Sequence, residues 1–323
     1  MDRKLIFICL MAGLLSFACN NSKQKRDATE GITRDFPMVQ IPRMITEPSE
    51  RVDYAIDHIW DGFIDTSKKW LCDSSYIYGV KKSDVGIQAG MYATLLNSAT
   101  LSHACQSLSS LYDKLSMCEK QDSSSNAFEG VVEFISNYLY DPNSPYRNER
   151  LYMAFLQKLI DSDLVSKEKK DMYKYDYRMC SLNNPGSKAG DFSFTTSRGQ
   201  IISLYSIKSP YILLLFSNPG CPECKEIIDN IKQDEKTSHL IKNKILTIVN
   251  IYIDQDIKYW KEYSINYPKE WYNGYDHNYS IRTYQIYNVR AIPSLYLLDK
   301  DKKVILKDAT PEKMFDYLNN IEI

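Results

Sequence analysis

Apolar residues are distributed along this chain in three regimes. Leu5 to Ala18 (LIFICLMAGLLSFA) is apolar without interruption and gives way at once to the polar run NNSKQKRD. Residues 20 to about 50 hold Asn, Ser, Lys, Gln, Arg and three prolines with little apolar periodicity, and read as a tether. About 30 flexible residues reach on the order of 30 Å. From 51 to 182 the apolar residues take a helical period, as in Tyr54, Ile56, Ile59, Trp60 and Phe63, and again in Phe128, Val131, Val132, Ile135 and Leu139. A further helix is expected to start with Ser144 as N-cap and Pro145 at its first position, running through Leu151, Phe155 and Leu159. Asp122 to Asn126 and Asp141-Pro-Asn143 read as connections between helices.

The turn-rich run Asn183-Asn-Pro-Gly-Ser-Lys-Ala-Gly190 marks a domain boundary. Beyond it strands alternate with helices. Asp191-Phe-Ser-Phe and Gln200 to Leu204 predict a hairpin, and Tyr211 to Phe216 has the unbroken apolar run of a strand buried on both faces. A helix from about 222, a strand Leu246 to Ile253 and a helix Ile257 to Tyr263 follow. Two strands, Ser294 to Leu298 and Lys303 to Leu306, then a helix with Thr310 as N-cap and Pro311 at its first position, close the chain. The expected architecture is an all-α N-terminal domain, residues 51–182, followed by an α/β domain with a mixed central sheet flanked by helices, residues 186–323.

At 323 residues there is room for two domains and a tether, and 44% hydrophobic with 25% charged residues is the balance of a chain that buries a core. A net charge of −1 provides no field for nucleic acid, which is not expected as a partner. Arg3 and Lys4 ahead of the apolar run make residues 1–18 an export signal, too short to span a bilayer that needs roughly 20 residues. Ala18-Cys19 at its end resembles a bacterial lipoprotein junction, which implies acylation of Cys19, a tether over 19–50, and a place in the cell envelope on a bacterial membrane. Ser16 and Phe17 depart from the usual residues before such a cysteine, and ordinary cleavage nearby or an uncleaved anchor are the other readings.

Candidate chemistry is concentrated where the buried strand meets the next helix, at Gly220-Cys221-Pro222-Glu223-Cys224-Lys225. A C-x-x-C beside a βαβ pattern is the spacing of a thioredoxin-like redox pair. A thiol at a helix N-terminus meets unpaired N–H groups and the positive end of the dipole, which favour its thiolate. Pro222 fits the first turn, where no N–H bond is lost. Cys224, Ile227, Ile228 and Ile231 share one helix face, so Cys221 is expected to be the exposed attacking thiolate and Cys224 the shielded resolving thiol. A structural disulfide uses the same spacing. Haem attachment requires His where Lys225 stands, and a zinc site requires a second close pair, whereas Cys72, Cys105, Cys118 and Cys180 are scattered. A peroxiredoxin motif fails at Leu214 and Asn218. No metal or other cofactor is expected.

Residues 186–323 resemble TlpA-type thiol-disulfide oxidoreductases, in the lead-in Gly186 to Phe192, the strand into Cys-Pro-Glu-Cys, and Ala291-Ile-Pro-Ser-Leu-Tyr-Leu-Leu-Asp-Lys-Asp301. The resemblance implies a cis Ile292–Pro293 bond packed against the cysteines, with Pro293 in the catalytic set and Pro222, Glu223 and Ile292 shaping the site. The whole mature chain resembles uncharacterised lipoproteins of Gram-negative anaerobes with a helical domain of unknown function ahead of a thioredoxin fold. Arg51 to Tyr54, His58 to Asp61, Tyr138 to Glu149 and Trp271 to Asp276 carry that likeness. Two departures stand out: thioredoxins have Trp where Gly220 is, and a buried carboxylate where Leu215 is, so another group or water must take the Cys224 proton.

The function expected is reduction of disulfides in envelope proteins, fed by an unidentified membrane electron donor. The alternative is a binding lipoprotein whose helical domain holds the partner, with the thioredoxin fold as scaffold. Asp61 and Asp65 near His58 read as a polar helix face, and the Trp271 to Tyr275 cluster as either a substrate-facing loop or surface packing. The four scattered cysteines are expected to be buried free thiols. Cys105 and Cys118, on one helix, would stand about 20 Å apart, beyond the roughly 7 Å Cα limit of a disulfide.

Overall fold

The computed structural model describes residues 31–322; the export signal and Cys19 lie outside them. Residues 31–47, read above as the end of the tether, are instead packed on the helical domain. Ile32 bridges Trp70, Phe36 is buried against Phe63, and the Arg34 guanidinium lies 3.8 Å from the Trp70 ring centre while donating to the Phe63 carbonyl. Three apolar or aromatic-binding residues at positions 32, 34 and 36 were too few to register as a period.

The helical domain comprises α1 (Pro48–His58), a short antiparallel ribbon of β1 (Tyr76–Ile77) and β2 (Val80–Lys81), then α2 (Lys82–Ser98), α3 (Leu101–Gln121), α4 (Ala127–Tyr140), α5 (Glu149–Asp161) and α6 (Lys167–Ser181). Its core joins Trp60, Phe63, Tyr92, Ile135, Phe155 and Leu156, all buried. The helix expected from Ser144 begins instead at Glu149, with Asn148 accepting from the Leu151 N–H at 3.2 Å. Ser144 is occupied elsewhere: its hydroxyl donates to the Tyr138 carbonyl at the end of α4, 2.6 Å away. Both residues are good caps, and the competing bond at the preceding helix end decides between them.

The second domain runs β3 (Ser193–Thr196), β4 (Ile201–Ser203), β5 (Tyr211–Phe216), α7 (Pro222–Gln233), α8 (Glu235–Lys242), β6 (Leu246–Tyr252), α9 (Ile257–Tyr263), β7 (Tyr272–Tyr275), α10 (Ser280–Thr283), β8 (Ser294–Asp299), β9 (Val304–Leu306) and α11 (Pro311–Asn319). The sheet order is β4-β3-β7-β6-β5-β8-β9, with β5 parallel to β6 and antiparallel to β8. Leu214 and Phe216 of β5 enter one core with Tyr287 and Tyr296, while Leu213 and Leu215 enter the other with Ile227, Ile231 and Met314. Burial on both faces is the reason β5 is apolar throughout. The Trp271 to Tyr275 cluster is neither a loop nor surface packing: it is the inner strand β7, paired with β6 and β3, with Trp271 buried. Gly274 is required there, because a Cβ would collide with the Phe194 ring.

The domains meet through charge. Glu149, at the start of α5, accepts from Arg290 at 2.9 Å and lies 2.6 Å from the Lys307 ammonium, and all three side chains are nearly buried. Arg290 also lies flat on the Tyr140 ring and donates to the Tyr140 carbonyl. Arg147 pairs with Asp308 at 3.2 Å. In the boundary turn the Asn183 amide donates to the Ile286 carbonyl and accepts from the Gly190 N–H. Among the described residues no helix is long and apolar enough to cross a membrane.

Candidate functional site

The site is built by a strand, a tight turn and a helix N-terminus. β5 delivers the chain to Ser217, and Asn218-Pro219-Gly220 turns it into α7, with Gly220 at φ +73°, the left-handed region where glycine costs least. Cys221 is the N-cap of α7; its sulfur accepts from the Cys224 N–H at 3.1 Å, and Pro222 occupies the first helical position. A cysteine sulfur therefore stands where a capping oxygen ordinarily does, at the positive end of the helix. Cys221 and Cys224 form a disulfide, with Cα atoms 5.3 Å apart. Cys221 is partly exposed, whereas Cys224 is 1% exposed and shares its buried face with Ile227, Ile228 and Ile231.

Charges of both signs stand near the pair. A Glu223 carboxylate oxygen lies 3.7 Å from the Cys221 sulfur. Lys225 turns away to Asp229, 2.5 Å off, and that bond raises the lysine and lowers the aspartate from their ordinary values. The Ile292–Pro293 bond is cis, and the residue after it, Ser294, pairs with Phe216, so Pro293 stands at the end of β5 where the loop to Cys221 begins. Ile292 is half-buried against the sheet core. Pro222, Glu223 and Gly220 are exposed, and a Cβ at Gly220 would meet the Tyr259 hydroxyl, so an aromatic from α9 covers this rim.

Beneath the pair the structure holds polar residues not assigned to the site in the sequence reading. Leu215, at the position of the thioredoxin carboxylate, is fully buried among apolar neighbours. Ser217, two residues on and therefore on the same strand face, donates to Asn250 Oδ1 at 2.5 Å, and Asn250 donates to Asn273 at 3.1 Å. A 260 Å³ cavity lies beside the disulfide, with Asn218, Cys221, Cys224, Ile228 and Tyr267 in its wall. No sequence signal links Tyr267 to Cys224; only the fold does.

The remaining candidates separate cleanly. His58 and Asp61 form an exposed pair, with Lys114 on the other carboxylate oxygen, and Asp65 caps the turn at Ser67. These are solvated helix-end contacts. Cys72, Cys105, Cys118 and Cys180 are free, but only Cys118 and Cys180 are buried as expected; Cys72 and Cys105 are half-buried, and Cys105 and Cys118 are both on α3. Burial pushes the Cys180 thiol up to about 12, so it stays protonated and inert. No cluster of three or more His, Cys, Asp or Glu suited to a metal ion occurs among the described residues.

Residues 17–183 match the family described as a domain of unknown function, DUF5106, and that match spans just over half of the chain. The chain belongs to the DUF5106 family. Residues 209–304 match a thioredoxin-like family, in register with the strand, turn and helix of the cysteine pair. The chain is similar to a thioredoxin-like protein from Bacteroides caccae, at 34% identity over 89% of this chain and 99% of that one, with a TM-score of 0.79. It is also similar to the C-terminal domain of an uncharacterized protein from Bacteroides fragilis, at 40% identity over 43% of this chain and 99% of that one, TM-score 0.42. The thioredoxin domain of a thiol-disulfide oxidoreductase from Bacteroides vulgatus aligns at 21% identity over 42% of this chain and 96% of that one, TM-score 0.38. Among curated proteins none matches. This DUF5106 chain thus joins a helical domain to a thioredoxin-like domain.

Proposed function

We propose that this protein is a TlpA-like thiol-disulfide oxidoreductase of the cell envelope, anchored through lipid on Cys19, that reduces disulfides of envelope proteins. The supporting observation is the asymmetry of the Cys221–Cys224 pair, one sulfur at the exposed helix N-cap and the other sealed beneath it. In the reduced enzyme the Cys221 thiolate attacks one sulfur of a substrate disulfide; that S–S bond breaks, and the first substrate thiolate leaves. The Cys224 thiolate then attacks the Cys221 sulfur, the mixed disulfide breaks, and the second substrate thiolate leaves. The enzyme emerges as the Cys221–Cys224 disulfide and requires two electrons from a membrane donor to act again. Insulin reduction with dithiothreitol as donor tests the activity, and a rate equal to dithiothreitol alone would refute it.

Direction follows from the charges. The helix dipole stabilises the Cys221 thiolate, but Glu223 opposes it at 3.7 Å and Lys225 is held by Asp229. A thiolate stabilised only modestly belongs to a reductant, so the potential is expected nearer to about −270 mV, the thioredoxin value, than to about −120 mV, that of DsbA. Equilibration against dithiothreitol buffers measures it. A value above about −180 mV, the level of protein disulfide isomerase, would make the protein an oxidase or isomerase.

Anchoring rests on the Ala18-Cys19 junction after the apolar run. Cys19→Ala is expected to move the protein from the membrane to the soluble fraction, and mass spectrometry of the wild-type N-terminus to show an acylated Cys19. An unmodified N-terminus elsewhere would end the lipoprotein reading.

A further inference from the structure

Between α4 and α6 the helical domain opens a cleft of 610 Å³. Phe128, Val132, Tyr152, Val165 and Tyr173 line it with buried apolar and aromatic surface. Its charged residues are Glu129, Glu133, Asp141 and Asp176 against Lys169 and Arg290. Glu133 is paired with Lys82 and Arg290 with Glu149, neither of which lines the cleft. Among the described residues three carboxylates are thus left against the Lys169 ammonium. Asp176 is half-buried, whereas Glu129 and Asp141 are exposed. It makes no salt bridge among the described residues, and the Tyr152 hydroxyl donates to it only at 3.4 Å. Burial raises its carboxyl above the ordinary range, although the Tyr152 bond and the Arg290 charge both pull it down. Burial foremost, with the Asp176 charge contributing, also raises the phenols of Tyr140, Tyr152 and Tyr173, which places this carboxylate among three aromatic rings. A carboxylate so placed has lost water without gaining a cation.

We propose that this cleft binds a lysine or arginine side chain of the substrate polypeptide, with its charged end at Asp176, an assignment that rests on the oxidoreductase reading. A long cationic side chain matches both parts of the cleft. Its aliphatic stem covers Val132, Val165 and Tyr173, and its head meets a carboxylate and aromatic faces that attract cations. The surplus of carboxylates repels an acidic side chain and gives a neutral one no advantage. Position joins the cleft to the chemistry. Arg290, in its wall, stands three residues before Pro293, at most about 11 Å of chain. A polypeptide held at Cys221, beside that loop, therefore reaches the cleft with several extended residues. The helical domain then selects substrates that carry a basic residue near the disulfide, and Cys221 performs the exchange.

Short peptides test this, each with one cysteine held as a mixed disulfide with thionitrobenzoate and one lysine at a chosen distance from it. Matched peptides carry glutamine in place of the lysine. With the reduced full-length protein in detergent, the Cys221–peptide bond forms as the peptide–thionitrobenzoate bond breaks, and the coloured thiolate is released. At the favoured spacings the lysine peptide is expected to react about tenfold faster than its match at low concentration, the lower end of what a hydrogen bond to a charged group contributes. Asp176→Asn, which keeps the shape of the side chain, is expected to bring that ratio to about one, and raised salt to lower it in the wild type. In the wild type a benzophenone next to the lysine is expected to crosslink to α4 or α6, a readout that does not depend on the variant folding. A ratio near one at every spacing in the wild type overturns the proposal. So does a ratio that Asp176→Asn leaves intact, or crosslinks confined to the second domain. Saturable binding of butylammonium without any preference among the peptides makes the cleft a site for free amines and overturns it as well. Release from every peptide no faster than with Cys221→Ser refutes the oxidoreductase reading itself, and the proposal with it.

Discussion

Cys221→Ser reduces insulin no faster than dithiothreitol alone, and Cys224→Ser stalls after one attack with a substrate protein covalently held; these are the largest effects expected from single substitutions. They follow from position rather than from the residue type the two share. Cys221 combines solvent access with the N-cap of α7, where the Cys224 N–H already points at its sulfur 3.1 Å away. Cys224 has neither, being 1% exposed on the buried helix face it shares with Ile228 and Ile231. The reduced wild type should accordingly alkylate at Cys221 at least about tenfold faster than at Cys224 at neutral pH. Mass spectrometry of the Cys224→Ser trap identifies the substrate, linked through Cys221. Equal alkylation of the two thiols, or a trap that forms as well with Cys221→Ser, would show that the helix end does not set the order of attack.

Glu149→Ala is expected to have the largest effect on stability. Its carboxylate faces Arg290 and Lys307 where the two domains meet, with the three side chains 12%, 15% and 7% exposed. Removing one member of a buried ion cluster leaves the others as uncompensated charges, a loss of about 3–5 kcal/mol. At about 2–4 °C per kcal/mol for chains of 150–250 residues, the domains should melt about 10 °C lower, and in two calorimetric transitions against the single one expected of the wild type. An exposed pair gives the contrast: Lys225→Ala removes the contact to Asp229 at 68% exposure and should leave the melting temperature essentially unchanged. A Glu149→Ala protein that melts with the wild type would mean that the cluster gives no net stability. The position has a functional side as well. Arg290 stands three residues before Pro293, so its contacts with Glu149 and Tyr140 tie the loop beside the cysteines to the helical domain.

What was legible in the sequence was local. The unbroken run Tyr211 to Phe216 read as a strand covered on both faces, and the Cys224, Ile227, Ile228, Ile231 stripe as one face of a helix, and both are found. Together they located the cysteine pair and assigned its exposed and buried members. The turn-rich run after Asn183 fell between the last helix of the N-terminal part, α6, and the first strand of the sheet, β3, and Thr310 with Pro311 marked the last helix. Each of these signals is complete within a dozen residues, because helix period, strand alternation and cap chemistry act over that range.

The tertiary structure decided the rest, wherever two local preferences competed or the partner lay far along the chain. Asn148 rather than Ser144 caps α5 because the Ser144 hydroxyl is taken by the end of α4. Trp271 to Tyr275, poor in strand formers through Asn273 and Gly274, becomes a strand because β6 and β3 offer it both edges and the Phe194 ring leaves room only for glycine. The Ser217–Asn250 pair, Tyr267 beside Cys224 and the Glu149–Arg290–Lys307 cluster join residues separated by 33 to 158 positions. A single sequence sets no register between such segments; burial of their apolar flanks on folding does, and the polar groups among them must then find one another.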